Sequence, residues 1–163
     1  MPANVFASRK TASSLVFFLA SALLVVFALP LLAQDDPLIG TWKLNLTKST
    51  FHFSAAPQSN VHRYEPFGTD GVTATADVVD GDGRKIHFTY SIKFDGKFYP
   101  VIGDPARDMT SLKRLDLHTG EGANMKDGKV INTSRHVLSK DGKTLTVTLN
   151  GAKGVDIRIY EKQ

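Results

Sequence analysis

The sequence predicts an all-β domain, an antiparallel up-and-down β-barrel of about eight to ten strands, behind an N-terminal signal peptide. Three observations lead there. From residue 58 onward, short β-rich runs alternate with turn dipeptides: Asp-Gly at 70–71, 80–81, 82–83, 95–96, 127–128 and 141–142, and Asn-Gly at 150–151. These pairs favour positive φ and match the twist of tight hairpins. Several of the runs also alternate with period 2, as half-buried strands do, and no segment after residue 33 carries a convincing helical stripe.

The elements follow in order. Arg9 and Lys10 form a short basic region, Leu15 to Leu29 is a nearly unbroken apolar run, and Pro30 breaks it before Leu31, Leu32 and Ala33. That three-part pattern predicts a signal peptide over residues 1–33 and a domain over residues 34–163, the mature chain beginning at Gln34. Retention of the run as an anchor is the alternative, since residues 15–33 are just long enough to span a bilayer. Strands are expected near 38–46, 59–66, 71–79, 84–94, 97–102, 109–115, 120–126, 130–139, 143–150 and 153–161. In the first, Gly40, Trp42, Leu44 and Leu46 share a face. In the fourth, Ile86, Phe88, Tyr90, Ile92 and Phe94 oppose His87, Thr89, Ser91 and Lys93, and in the ninth Leu145, Val147 and Leu149 alternate with threonines. Tight connections throughout favour a meander that closes to remove its edges. The longer non-strand pieces are 47–59 and 103–108.

Charge and composition narrow the classes. The formal charge of the whole chain is +4, and removing Arg9 and Lys10 leaves 18 basic against 16 acidic residues, or +2. The charges are interspersed, so the clustered basic face that phosphate binding needs is missing and no nucleic acid is expected. The chain has no cysteine, so its core alone must hold about 130 residues together as one domain. The expected product is an exported monomer, periplasmic or secreted, with no membrane attachment once the signal is cleaved.

Trp42 is the sole tryptophan. Beside Gly40, whose small size allows close backbone approach, it is suited to plug one end of a barrel if its N–H finds a partner. The run Gly40-Thr41-Trp42-Lys43-Leu44, the meander, the Asp141-Gly142-Lys143 hairpin and the closing Arg158-Ile159-Tyr160-Glu161-Lys162 resemble the calycin superfamily. Within it, the fatty-acid-binding proteins, lipocalin-like β-barrels, are most similar. The chain also resembles an uncharacterised group of secreted bacterial proteins with an opening Gly-Thr-Trp-Lys-Leu-Asn and a nearby Lys-Ser-x-Phe, here Lys48 to Phe51. Residues 47–59 are too short for the two portal helices of fatty-acid-binding proteins, so the barrel carries over better than the lipid-carrier role.

The resemblance implies ligand-binding roles for Arg158 and Tyr160 on the last strand, which would grip a carboxylate, and more loosely for Arg135 two strands earlier. A guanidinium in a low-dielectric cavity suits that task. Alternation alone would instead put Val155, Ile157 and Ile159 inside and Arg158 in water, and calycins offer Arg158 a third place, stacked on Trp42. These three alternatives stay open at the level of sequence. The five histidines, at 52, 62, 87, 118 and 136, lack metal-ligand spacing, and no nucleophile elbow or other catalytic signature appears. Neither a metal, a cofactor nor a catalytic residue is therefore assigned, and the loop of Asp104, Arg107 and Asp108 reads as a solvated turn before a rim site. Asn45-Leu-Thr and Asn132-Thr-Ser fit the glycosylation sequon without pointing to a function. The expected function is binding of a small apolar, amphipathic or carboxylate-bearing ligand without catalysis. A protein-interaction module with a filled barrel core, such as an inhibitor or envelope factor, is the alternative.

Overall fold

The computed structural model describes residues 36–163; the expected signal peptide, 1–33, lies outside the described residues. Ten strands run in chain order: β1 (Gly40–Leu44), β2 (Ser59–Pro66), β3 (Gly71–Val79), β4 (Lys85–Lys93), β5 (Asp95–Pro100), β6 (Met109–Arg114), β7 (Thr119–Lys126), β8 (Lys129–Leu138), β9 (Thr144–Gly151) and β10 (Gly154–Lys162). They form one antiparallel sheet in the order β4-β3-β2-β1-β10-β9-β8-β7-β6-β5. Every hairpin pairs sequence neighbours except the closing ladder β1–β10, where Trp42 lies opposite Lys162. At β7–β8, Asp127 (φ 48°) and Gly128 (φ 75°) supply the two positive φ values that a primed hairpin turn requires.

β4 and β5 are the edges of this sheet although they adjoin in sequence. One isolated bridge draws them together, Thr89 N–H to the Ile102 carbonyl at 3.0 Å and the reverse bond at 2.9 Å. Glycine is needed next to it. Gly103 has φ +91°, and a Cβ there would overlap the His87 carbonyl oxygen. The barrel is thus nearly closed, with a seam between β4 and β5.

Apolar inward residues concentrate at one end. Trp42, Val72, Ala74, Ile92, Leu138 and Leu145 are buried there, and the fully buried indole donates from Nε1 to the Leu38 carbonyl at 2.8 Å. Gly40 has φ +129°. Its close neighbour is the Lys162 side chain, at 2.9 Å from a notional Cβ, and not the backbone expected from the sequence. Leu46, expected on the inner face with Trp42, is 39% exposed, because β1 ends at Leu44 and Leu46–Lys48 form a 3-10 turn. Residues 49–58 then form a bent strap between β1 and β2, whose Phe53, Ser54, Ala55 and Pro57 line the interior.

Candidate functional site

Between the Trp42 floor and the strap lies a cavity of about 470 Å³, within the range of small-molecule sites. Its walls come from the inward positions of nearly every strand. On β2 these are Asn60, His62 and Tyr64, all buried, alternating with outward Val61 and Arg63. On β4, Phe88 and Tyr90 lie near-parallel at 6.4 Å between centroids. Facing them are Thr110, Asn124, Ser134 and His136.

β10 departs from the expectation by hydrophobicity. Asp156, Arg158 and Tyr160 face inward, while Val155 and Ile157 are each 39% exposed. The physical reason is local: this half of the interior is a cavity with hydrogen-bonding side chains among its apolar walls and not a packed core, so apolarity no longer sorts inside from outside. Outward Ile157 instead sits in a ladder with Thr148 and bridges Thr50, where β-branched neighbours suit a pleated surface.

Arg158 lies at the mouth, below the strap. Its Nη2 donates to Ser54 Oγ at 3.1 Å and to Asp156 Oδ2 at 3.3 Å, and its Nε is buried with no partner. Asp156 is wholly buried and ties the strap down, accepting from His52 N–H at 2.7 Å, Phe53 N–H at 3.1 Å and the Ser54 hydroxyl. Burial would raise its pKa. The bonds from Ser54, Phe53 and His52 and the Arg158 charge outweigh that and hold the carboxyl below its ordinary value. Tyr160 is buried, and its Oη accepts from Asn60 Nδ2 at 3.3 Å. Burial raises the Tyr160 pKa, against an opposing effect of Arg158, so the phenol keeps its proton.

The place over the Trp42 ring belongs to Lys162, whose Nζ is 5.3 Å from the ring centroid and donates to the Pro37 carbonyl at 2.9 Å. Arg158 does not stack there. Arg135, the second arginine of the resemblance, is turned outward and pairs with Glu121, both about half exposed. It is not brought to the cavity, because Ser134 and His136 occupy the inward positions of β8.

A different guanidinium enters the cavity. Arg107, expected in a solvated turn, dips inward from the 103–108 loop with its side chain only 16% exposed. Nε donates to Asp104 Oδ2 at 2.9 Å and Nη1 to Asn124 Oδ1 at 2.6 Å. Its Cζ lies 5.0 Å and 5.4 Å from the Phe88 and Tyr90 centroids, a cation–π arrangement. Burial, then Arg107, Arg158 and His136, depress the His62 pKa to about 3. Burial and then Arg107 take His136 to about 4. Both imidazoles are neutral at physiological pH, and the cationic groups of the cavity are the two guanidinia.

Sequence reasoning missed Asn60, His62, His136, Asp156 and the inward turn of Arg107. A signal for the first two was present: Asn60, His62 and Tyr64 alternate with Val61 and Arg63, a hydrogen-bonding face at strand period. Arg107 had none, because a loop residue has no period to read. Among the described residues, no group of three His, Cys, Asp or Glu is placed to hold a metal, and no helix is long and apolar enough to cross a membrane.

No family model and no curated protein matches the chain. Solved structures do. The wild-type fluorescent protein UnaG superposes with TM-score 0.57 at 16% identity, over 77% of this chain and 97% of that one. A Schistosoma mansoni fatty acid binding protein in complex with arachidonic acid superposes with TM-score 0.53 at 15% identity, over 78% and 96%. The chain therefore shares the barrel fold of these two proteins.

Proposed function

We propose that this barrel binds a small amphipathic carboxylate, holding the head group between Arg158 and Tyr160 and performing no chemistry on it. One observation carries the reading: Arg158 presents a buried Nε with no partner at the wall of a cavity, beside a protonated phenol. A buried, unpaired donor on a cation is costly, and an anion that takes it recovers that cost. The cavity itself favours a binder over an interaction module with a filled core. The solved fatty acid binding protein with arachidonic acid supports the ligand class by analogy of fold.

An anionic lipid probe titrated into wild type, Arg158→Met and Tyr160→Phe tests this. Saturable binding is expected in wild type, with a tenfold to hundredfold loss in Arg158→Met, the equivalent of about 1.5–3 kcal/mol for a charge-assisted pair, and a smaller loss in Tyr160→Phe. Denaturant melts run beside it should show the fold retained. Wild type without saturable binding would sink the reading. We further propose that the protein is exported and acts outside the cytoplasm after cleavage following Ala33. N-terminal sequencing should find Gln34 first, and intact Met1 on membrane-bound protein would refute it.

A further inference from the structure

We infer that the acid bound here carries a hydrogen-bond donor, a hydroxyl or N–H, on C2 or C3, counting the carboxylate carbon as C1, and that Asn60 reads it. This rests on the carboxylate reading above and adds to it a substrate class.

Asn60 is only 6% exposed, on the inward face of β2. Its Nδ2 is committed to Tyr160 Oη at 3.3 Å, and its Oδ1 has no hydrogen-bond partner. Among the described residues, the other buried side-chain atoms without partners are Arg158 Nε and Asp108 Oδ1. Two of the three, an acceptor and a cationic donor, therefore belong to residues lining one cavity together with Tyr160. Leaving an amide oxygen unpaired in such a place is unfavourable. A plain hydrocarbon laid against it would make that cost permanent.

The placement fixes where the donor must be. With Nδ2 on the phenol oxygen, the Tyr160 proton is free for the ligand carboxylate, and Oδ1 is the next acceptor along the wall. One amide width and two hydrogen bonds, Nδ2 to the phenol oxygen and the phenol to the carboxylate, separate it from the carboxylate position, so a donor one or two carbon–carbon bonds from the carboxylate carbon stands beside it. No protein donor reaches Oδ1. His62 packs edge-on to Tyr160 at 5.4 Å, its Nδ1 faces Tyr64 Oη at 3.5 Å, and its depressed pKa keeps it from supplying a second cation. If the amide were turned over, Tyr160 would donate to Oδ1 and an NH2 would be left over, asking the ligand for an acceptor. A ligand pair differing only in ability to donate separates the two arrangements.

Isothermal titration calorimetry of the purified protein with decanoate, 2-hydroxydecanoate, 3-hydroxydecanoate and 3-methoxydecanoate tests the inference. One of the hydroxy acids should bind about tenfold more tightly than decanoate, with the methyl ether no better than decanoate. In Asn60→Leu the hydroxy acid should lose that advantage while decanoate still binds. The wild-type series decides the matter even if that variant does not fold. Equal affinities for decanoate and both hydroxy acids would overturn the inference and leave the carboxylate reading standing. An ether that gains as much as the alcohol would overturn the donor assignment. No binding by any of the four acids would overturn both readings at once.

Discussion

His62 and His136 show what a single buried side chain costs. Each is neutral in the folded barrel, with pKa about 3 and about 4, against an ordinary 6.5. The unfolded chain takes up both protons as pH falls through that ordinary value, and the folded protein does not until the depressed values are reached. Stability therefore declines as pH falls from 6.5 to about 4 through His136 and on to about 3 through His62, where the unfolded state binds more protons. At pH 4.5 each histidine should cost roughly 1–3 kcal/mol relative to pH 7. Asp156 does not confuse this window, because its carboxyl titrates below its ordinary value. Denaturant melts at pH 7 and pH 4.5 should show the loss, and His62→Gln should reduce it. A stability unchanged over that range would contradict two neutral buried imidazoles. The same residues mark where sequence reading ends: their types were visible, but the burial that chiefly depresses them, and the arginines that add to it from a loop and, for His62, from a strand some hundred residues of chain away, were not.

At the scale of elements, β10 and the strap explain each other. β10 alternates cleanly, yet its apolar residues face outward, because Asp156 and Arg158 find their partners inside, in each other and on the strap. A carboxylate accepting two backbone N–H groups does for residues 52–54 what a helix would do for itself: it satisfies backbone donors away from the ladder. Phe53 then lies against Gly151, where a side chain would meet its ring at 3.0 Å. The strand spans were legible because period 2 and Asp-Gly turns are local signals. The facing of β10 was not, since burial against a strap that precedes it by a hundred residues cannot be read from alternation. Arg135 illustrates the converse: the motif placed it by analogy, and register with β7 and β9 turned it outward.

For the molecule as a whole, the meander and the near-closure were readable from the count and spacing of strands, whereas the cavity was not, because its volume depends on which inward side chains stop short of one another. The order of the sheet carries a further consequence. The first and last strands of the described residues meet in the middle of the sheet, with Gln163 N–H bonded to the Thr41 carbonyl at 2.9 Å, while the seam falls between strands that adjoin in sequence. Connectivity and the ring of ladders are therefore independent of one another, and the chain could be read from a different starting point without losing a ladder. A circular permutant that joins Gln163 to Asp36 by a short Gly/Ser linker and opens between Phe94 and Asp95 should fold to the same barrel, with a cooperative melt and the wild-type tryptophan emission. An unfolded permutant would mean that the β4–β5 connection does more than cross a seam: it would be the tether that keeps the barrel from unrolling into a flat sheet with two open edges.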